Sequence, residues 1–318
     1  MSSKQTIPFA SLTVIYSPYH VGVRDEGPGA GPSFLRSHGF VQSLQSVGLV
    51  VHEAEIEPVD DFEGEIGRSF KILRRTSKLV TETRDRNSFP VVLSGNCSAT
   101  VGVAAGLSAS KRLKGDDIGC IWFDAHDDYN TPDTVMSGYF DSMGIAMLAD
   151  ECWKGLLATV PGHRPVDLQN VVHVGMRDVT EMERKRVIDS GLDVVWGSDD
   201  TDEEDAYFAE QLGQVLTRKE LRHTMVHVDL DCLDKSLGHV NKFAAAGGLY
   251  EEDLVECLAT IMSLSYPTSL TVASFDPSYD GAENIARIAI EAVTGFFRGL
   301  ASKGAVLLQP KVPRNEST

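Results

Sequence analysis

The 318-residue sequence predicts an α/β fold of three layers, in which a mostly parallel sheet lies between two layers of helices. Eight short β-branched runs alternate along the chain with segments of helical spacing. Strands buried on both faces read as continuous apolar runs, and parallel neighbours need helical crossovers. Because no Pro/Ser-rich linker or internal repeat interrupts residues 1–318, we expect a single domain with a loose tail at about 310–318.

The elements follow in a regular order. A first strand precedes a Gly- and Pro-rich loop at 22–32, and a turn at 95–98 opens a helix of small residues. The predicted strands are 11–16, one starting at 49, 91–95, 117–123, 171–175, 193–196, 224–230 and 269–275. The predicted helices are 33–46, 62–86, 99–108, 180–189, 206–218, 251–264 and 282–302.

Composition excludes some partners. The formal net charge is −17, which argues against binding to nucleic acid or to an anionic membrane. Five scattered cysteines are typical of a reducing compartment and do not indicate a disulfide framework. The sequence shows no signal peptide and no apolar segment of membrane-spanning length, so we expect a cytoplasmic protein.

The strongest chemical signal follows the apolar run 117–123. Asp124, His126 and Asp128 alternate there, so an extended backbone would point all three side chains the same way. Buried carboxylates need a compensating charge, and a divalent metal usually supplies it. Oxygen ligands with one imidazole suit Mn, Zn or Fe better than Ca. The alternative is a solvated acidic loop.

A second cluster strengthens the metal hypothesis. Asp229 and Asp231 also alternate at the end of a strand, and two such strand ends in a parallel sheet can close one site. His227 would face the same way as Asp229 but deeper. We interpret His227 as a buried core histidine rather than as a ligand.

The two clusters resemble the metal motifs of the arginase/agmatinase (ureohydrolase) family. The resemblance implies one domain with an eight-stranded parallel sheet, and Mn-dependent hydrolysis of a guanidine or related C–N bond in a small-molecule substrate. It also implies a homo-oligomer, often a trimer or hexamer. The matching segments cover nearly the whole chain: 27–36, 94–98, 124–130, 137–138, 173–178, 229–231 and 247–249.

By this resemblance, Asp124 and Asp229 would bridge two metals. His126 and Asp231 would complete the shell of one metal, and Asp128 would help to hold the other. Asp128 would also orient the attacking water and accept its proton. The resemblance further assigns substrate contacts to two polar residues, Asn130 and Ser137.

Several positions depart from the family pattern. Cys97 stands where the family has a histidine ligand, and a thiolate suits Zn better than Mn. We therefore favour one firmly bound ion, Mn²⁺ or alternatively Zn²⁺, although two remain open. Asp141 replaces a proton-shuttling histidine and could act only with a raised pKa. Ser274 replaces a substrate-binding glutamate, for which Asp276 and Asp280 are candidate substitutes.

These departures predict a changed substrate, such as a hydroxyguanidine or another analogue less basic than arginine or agmatine. Two rivals stay open: a deacetylase-like amide hydrolase with one metal, and a catalytically inactive subunit. The role of Cys97 also stays open between metal ligand, covalent nucleophile and inert packing residue.

Overall fold

The computed structural model describes residues 7–60, 62–113, 118–198 and 207–309. The predicted loose tail at 310–318 lies outside the described residues, as do the first residue of the predicted strand 117–123 and of the predicted helix 206–218. The strands are β1 Ser11–Ser17, β2 Tyr19–His20, β3 Val23–Arg24, β4 Val51–Glu55, β5 Ser88–Ser94, β6 Ile118–Phe123, β7 Val171–Met176, β8 Asp193–Trp196, β9 His223–Asp229 and β10 Tyr266–Ala273.

Eight of these strands form one sheet within the described residues, in the order β4-β1-β5-β10-β9-β6-β7-β8. Every neighbouring pair in this sheet is parallel, which confirms the predicted sheet. Strands β5, β6, β7 and β9 are buried along their full length, as their continuous apolar runs require. The short strands β2 and β3 form a separate antiparallel pair.

Helices cover both faces of the sheet. The helices are α1 Gly31–Ser37, α2 Phe40–Ser46, α3 Glu65–Asp85, α4 Ala99–Ala109, α5 Gly144–Leu148, α6 Lys154–Leu157, α7 Glu181–Ser190, α8 Phe208–Lys219, α9 Glu251–Leu264 and α10 Ala282–Ser302. One hydrophobic core takes its helical residues from α1, α2 and α8 to α10, and the other from α3 to α7. Strand β6 serves both cores, because Ile121 and Phe123 face one and Cys120 and Trp122 face the other.

The predicted helix 33–46 is two helices. Gly39 adopts a φ of 88° between α1 and α2, a left-handed conformation that ends the first helix. The predicted helix 62–86 begins three residues later than expected, after Gly64, whereas α9 and α10 have the predicted bounds. The short helices α5 and α6 were not predicted, because four or five residues show no periodicity.

A buried arginine links the loops after β7 and β9. The Arg177 guanidinium lies 2.8–3.3 Å from six backbone carbonyl oxygens, those of Gly175, Asp231, Cys232, Leu233, Ala245 and Ala246. Because Asp231 belongs to the predicted metal site, Arg177 fixes the backbone from which that carboxylate projects.

We expect Arg177→Met to lower the free energy of unfolding by about 3 to 5 kcal/mol, because several buried carbonyls lose their only charged donor. Urea unfolding followed by circular dichroism measures this change. The matched control is Arg298→Met on the exposed side of α10, where a change within about 0.5 kcal/mol is expected. Equal stability of the two variants would contradict the role of Arg177.

Candidate metal centre and active site

The predicted site residues other than Ser137 follow the carboxyl ends of four neighbouring strands, β5, β10, β9 and β6. A cavity of about 360 Å³ opens above these strand ends. Its lining includes predicted residues from all four strand ends: Cys97, Asp124, His126, Asp128, Asn130, Asp141, Asp229, Asp231, Ser274 and Asp276. The sheet order therefore brings together residues that are up to 179 positions apart, from 97 to 276.

The centre of this site is a cluster of Asp124, His126 and Asp231. One ligating atom from each lies within 4.8 Å of the others. His126 Nδ1 is 3.3 Å from Asp124 Oδ1 and 3.4 Å from Asp231 Oδ2. Backbone and side-chain donors orient the carboxylates, since the His126 amide donates to Asp124 Oδ1 at 2.8 Å and Asn241 Nδ2 donates to Asp231 Oδ2 at 3.0 Å.

The electrostatics of this cluster call for a cation. Burial opposes the charge on His126, but Asp231 and Asp124 raise its pKa well above the ordinary value. Burial likewise opposes the charge on Asp231, yet His126 and Asn241 hold its pKa well below the usual range. Burial and Asp231 raise the pKa of Asp124 to about 6. The proton on His126 thus balances the charge of two carboxylates, a role that a divalent ion can take over. The oxygen and imidazole donors suit Mn or Zn.

Asp128 reaches the cavity differently from the prediction. Strand β6 ends at Phe123, and Asp128 has a φ of 43°, a left-handed conformation that aspartate tolerates better than most residues. Strand alternation therefore does not explain why the Asp128 side chain lies in the cavity lining. Its Oδ2 is buried without a hydrogen-bond partner among the described residues. Burial and the neighbouring Asp124 raise the pKa of Asp128 well above the ordinary value.

Cys97 contacts the other predicted bridging residue. Its Sγ donates to Asp229 Oδ2 at 2.8 Å and lies 3.1 Å from Ser274 Oγ. Burial and the surrounding carboxylates, Asp229 first, raise the pKa of the Cys97 thiol well above its ordinary value. The neutral thiol is a poor nucleophile, which argues against covalent catalysis, and a ligand role for Cys97 requires a bound ion to displace the thiol proton.

Asp141 is hydrogen-bonded to the turn that precedes α4. Its two carboxylate oxygens accept hydrogen bonds from the backbone amides of Cys97 and Ser98, both at 3.0 Å. Both carboxylate oxygens of Asp141 are therefore engaged by backbone donors. Asp141 thus holds in place the turn that carries Cys97.

One of the two polar residues predicted to contact substrate lies in the cavity lining, and the other lies outside it. The Asn130 amide lines the cavity, but it is bonded to Asp127, Glu183 and Arg186. Ser137 is exposed outside the cavity lining, in a loop that turns away at Gly138, where φ is 73°.

Two further predicted contacts lie in the lining. Ser274 adopts a φ of 64° as the chain leaves β10, and its hydroxyl meets the Cys97 thiol. Asp276 accepts hydrogen bonds from the Ser278 amide and hydroxyl.

Residues outside the predicted site complete the lining. His20 Nε2 and the Tyr139 hydroxyl form a hydrogen bond of 2.8 Å at the cavity wall, and Phe243 packs against the rings of His126 and Tyr139. Asp178 Oδ2 is 3.5 Å from His126 Nε2. Tyr139 and Asp178 were missed because single residues in loops carry no spacing signal.

We expect a pH-dependent instability in the metal-free protein. Burial and the carboxylates Asp231 and Asp124 raise the pKa of Asp229 well above its ordinary value of about 3.9. The folded state then holds a proton that the unfolded state releases, so stability falls as pH rises above about 4. In the presence of a chelator, Asp229→Asn should unfold at a higher temperature than the wild type at about pH 8, with a smaller difference near pH 4.

Thermal unfolding across this pH range measures the effect. Asp189→Asn changes an exposed carboxylate on α7 and serves as the matched control. If Asp229→Asn is less stable than the wild type at alkaline pH, the buried charge is not a source of instability.

Comparisons with known proteins agree with this geometry. The sequence model of the arginase family matches residues 10–297. An arginase of Bacillus subtilis (strain 168) is 25% identical over 307 residues, covering 89% of this chain and 96% of the relative. The structure of an arginase from Bacillus cereus has a TM-score of 0.78 at 22% identity, covering 90% of this chain and 98% of that one. A formimidoylglutamase from Bacillus subtilis subsp. subtilis str. 168 has a TM-score of 0.71 at 16% identity, with 95% and 90% covered.

A parallel eight-stranded sheet of this order, with carboxylates and an imidazole at its central strand ends, is the architecture of the ureohydrolases. More particularly, the chain belongs to the arginase family, whose model matches from residue 10 to residue 297. Members of this family are hydrolases of amidine and guanidine C–N bonds, and they typically use two manganese ions. Among the described residues, no helix combines the length and apolar character needed to cross a membrane.

Proposed function

We propose that this protein is a metal-dependent hydrolase of a guanidino- or amidino-type C–N bond in a small molecule other than plain arginine or agmatine. The observation that carries the proposal is the Asp124–His126–Asp231 cluster on the cavity floor. Buried carboxylates that converge on one imidazole need a cation. Membership of the arginase family supports the reaction class.

Asp124, His126 and Asp231 hold one divalent ion in this proposal, with Mn²⁺ favoured and Zn²⁺ as the alternative. Such an ion supplies Lewis acidity and lowers the pKa of a water molecule. Asp128 orients that water and takes its proton, because its unpartnered Oδ2 lies in the cavity lining. A carboxylate with a raised pKa is suited to proton transfer near neutral pH.

The side chains of the cavity wall favour a substrate other than arginine. The hydroxyl of Ser274 stands at the position where the resemblance places a glutamate, and it contacts the Cys97 thiol rather than offering a charge. Lys242 belongs to the lining, so an anionic group on the substrate has a cationic partner there. A fold neighbour named as a formimidoylglutamase supports an amidino substrate of this kind.

The experiment is metal analysis of the purified protein, combined with an activity screen over guanidino, hydroxyguanidino, formimidoyl and acylamino compounds. We expect bound metal and turnover of an amidino compound that exceeds turnover of arginine and agmatine. Release of acid from acylamino compounds alone would support a deacetylase-like enzyme instead. A protein that binds no metal and turns over no compound would be an inactive subunit. Light scattering tests the expected trimer or hexamer.

A further inference from the structure

A second group of ligating atoms joins two residues of the cavity lining, Cys97 and Asp124, to His227 outside the lining. One atom from each of Cys97, Asp124 and His227 lies within 4.8 Å of the other two, and all three side chains are buried. The group shares Asp124 with the Asp124–His126–Asp231 cluster. Its other donors are a sulfur and a different imidazole, so it differs in chemical type from the Asp124–His126–Asp231 cluster.

His227 is held in a fixed orientation by its neighbours. Its Nδ1 forms a hydrogen bond of 2.8 Å with Thr100 Oγ1, and its ring packs at 3.9 Å from the ring of Trp122. Trp122 Nε1 in turn donates to Asp124 Oδ2 at 3.0 Å. The side chain is 0% exposed, and Nε2 has no hydrogen-bond partner within the part of the chain that the structure describes. A buried polar nitrogen without a partner is unfavourable, and a ligand to that nitrogen removes the penalty.

We propose that Cys97, His227 and Asp124 form a second metal site that selects Zn²⁺ over Mn²⁺, resting on the proposed function for the shared ligand Asp124. The resemblance places a ligand histidine at the position of Cys97, in the turn before α4. In this proposal, His227 on β9 supplies an imidazole in its place. A thiolate, an imidazole and a carboxylate are the donors of tetrahedral zinc sites, whereas Mn²⁺ prefers oxygen donors.

The separation of the three donors is compatible with such a site. Zn–S distances of about 2.3 Å and Zn–N distances of about 2.1 Å put tetrahedral ligand atoms roughly 3.5 Å apart. For donors within 4.8 Å of one another, each separation therefore needs to shorten by about 1.3 Å at most to close around one ion. Metal binding replaces the thiol proton of Cys97, which is released to solvent. Thr100 orients the imidazole as hydrogen-bonded partners of metal-ligating histidines do.

Cobalt titration tests this site without an activity assay. Metal-free protein is titrated with Co²⁺, and the thiolate-to-cobalt charge-transfer absorption in the near ultraviolet is recorded alongside the bound metal. We expect the wild type to show this absorption and Cys97→Ser to lose it. In His227→Phe, which keeps a ring beside Trp122, we expect the affinity of the thiolate-linked ion to fall by at least about 100-fold.

The matched control is His173→Phe. His173 lies across β6 from His227 in the same row of the sheet, is fully buried and also has ring nitrogens without a partner among the described residues. It is not part of the three-residue group, so its variant should keep the charge-transfer absorption. X-ray absorption spectroscopy of the zinc-loaded wild type gives a second readout, with one sulfur and nitrogen or oxygen ligands expected.

The outcomes separate this site from the proposed function. An ion bound with no thiolate absorption and no sulfur ligand would overturn the zinc site and leave the Asp124–His126–Asp231 site standing. Equal loss of absorption in the variants of His227 and His173 would also overturn it. An ion held through Cys97 and His227 in a protein that hydrolyses no amidino compound would uphold the site while the proposed function fails.

Discussion

Asp124→Asn is expected to lower kcat/KM by about 10⁴-fold or more for the best substrate found in the amidino screen. Asp124 belongs to both groups of ligating atoms, and its carboxylate also faces His126 Nδ1 and Trp122 Nε1. The amide lacks the charge that holds a cation, so the bound metal should be lost with the activity. Steady-state kinetics and metal analysis of the same preparation measure both effects.

The matched control for this change is Asp189→Asn, which neutralises an exposed carboxylate paired with Lys185 on α7. Its kinetics and metal content should equal those of the wild type. An Asp124→Asn protein that keeps its metal and more than about a tenth of its activity would show that the ion binds elsewhere.

Asp128→Asn is expected to lower kcat by about 10²- to 10⁴-fold, the usual contribution of a general base. The ion held by Asp124, His126 and Asp231 should remain, because Asp128 is not in that cluster. KM should change little. The amide does not titrate, so the dependence of kcat on the ionisation of Asp128 should disappear from the pH profile.

The neighbouring Asp127→Asn makes a useful comparison with the Asp128 variant. Asp127 Oδ2 accepts a hydrogen bond of 2.8 Å from Arg186, so its loss should lower the melting temperature with a much smaller effect on kcat. If Asp128→Asn loses metal in proportion to activity, Asp128 acts as a ligand and not as the base.

The strands could be predicted within a few residues, because strands buried on both faces are continuous apolar runs. The start of β10 was missed, since Tyr266-Pro267-Thr268 does not read as such a run. The order of the strands could not be predicted, because it depends on which crossovers pass over which strands. That order is what places the end of β10 beside the ends of β5 and β9.

Regular i, i+2 spacing in the sequence indicated which site residues lie close together, whereas the positions of residues in turns could not be predicted. The i, i+2 pairs at the ends of β6 and β9 lie close together through Asp124, His126 and Asp231, although Asp231 lies in a short 3₁₀ helix and not in extended backbone. Asp128 itself has a left-handed backbone conformation, which strand alternation does not predict. Ser137 is exposed in a loop. His227 is fully buried, as its interpretation as a core histidine requires, but its proximity to Cys97 could not be predicted because it depends on how α4 packs over the sheet.

The order of the sheet has a consequence for synthesis of the chain. Strands β5 and β6 leave the ribosome early, but their neighbours at the centre of the sheet, β10 and β9, come from the last third of the chain. Pairing over such separations is slow, and domains complete their folding as units. The nascent chain therefore cannot assemble the complete candidate site before residue 276 has emerged. The cluster of Asp124, His126 and Asp231 needs only the neighbouring strands β6 and β9, so it can form before the part of the cavity wall that Ser274 and Asp276 supply.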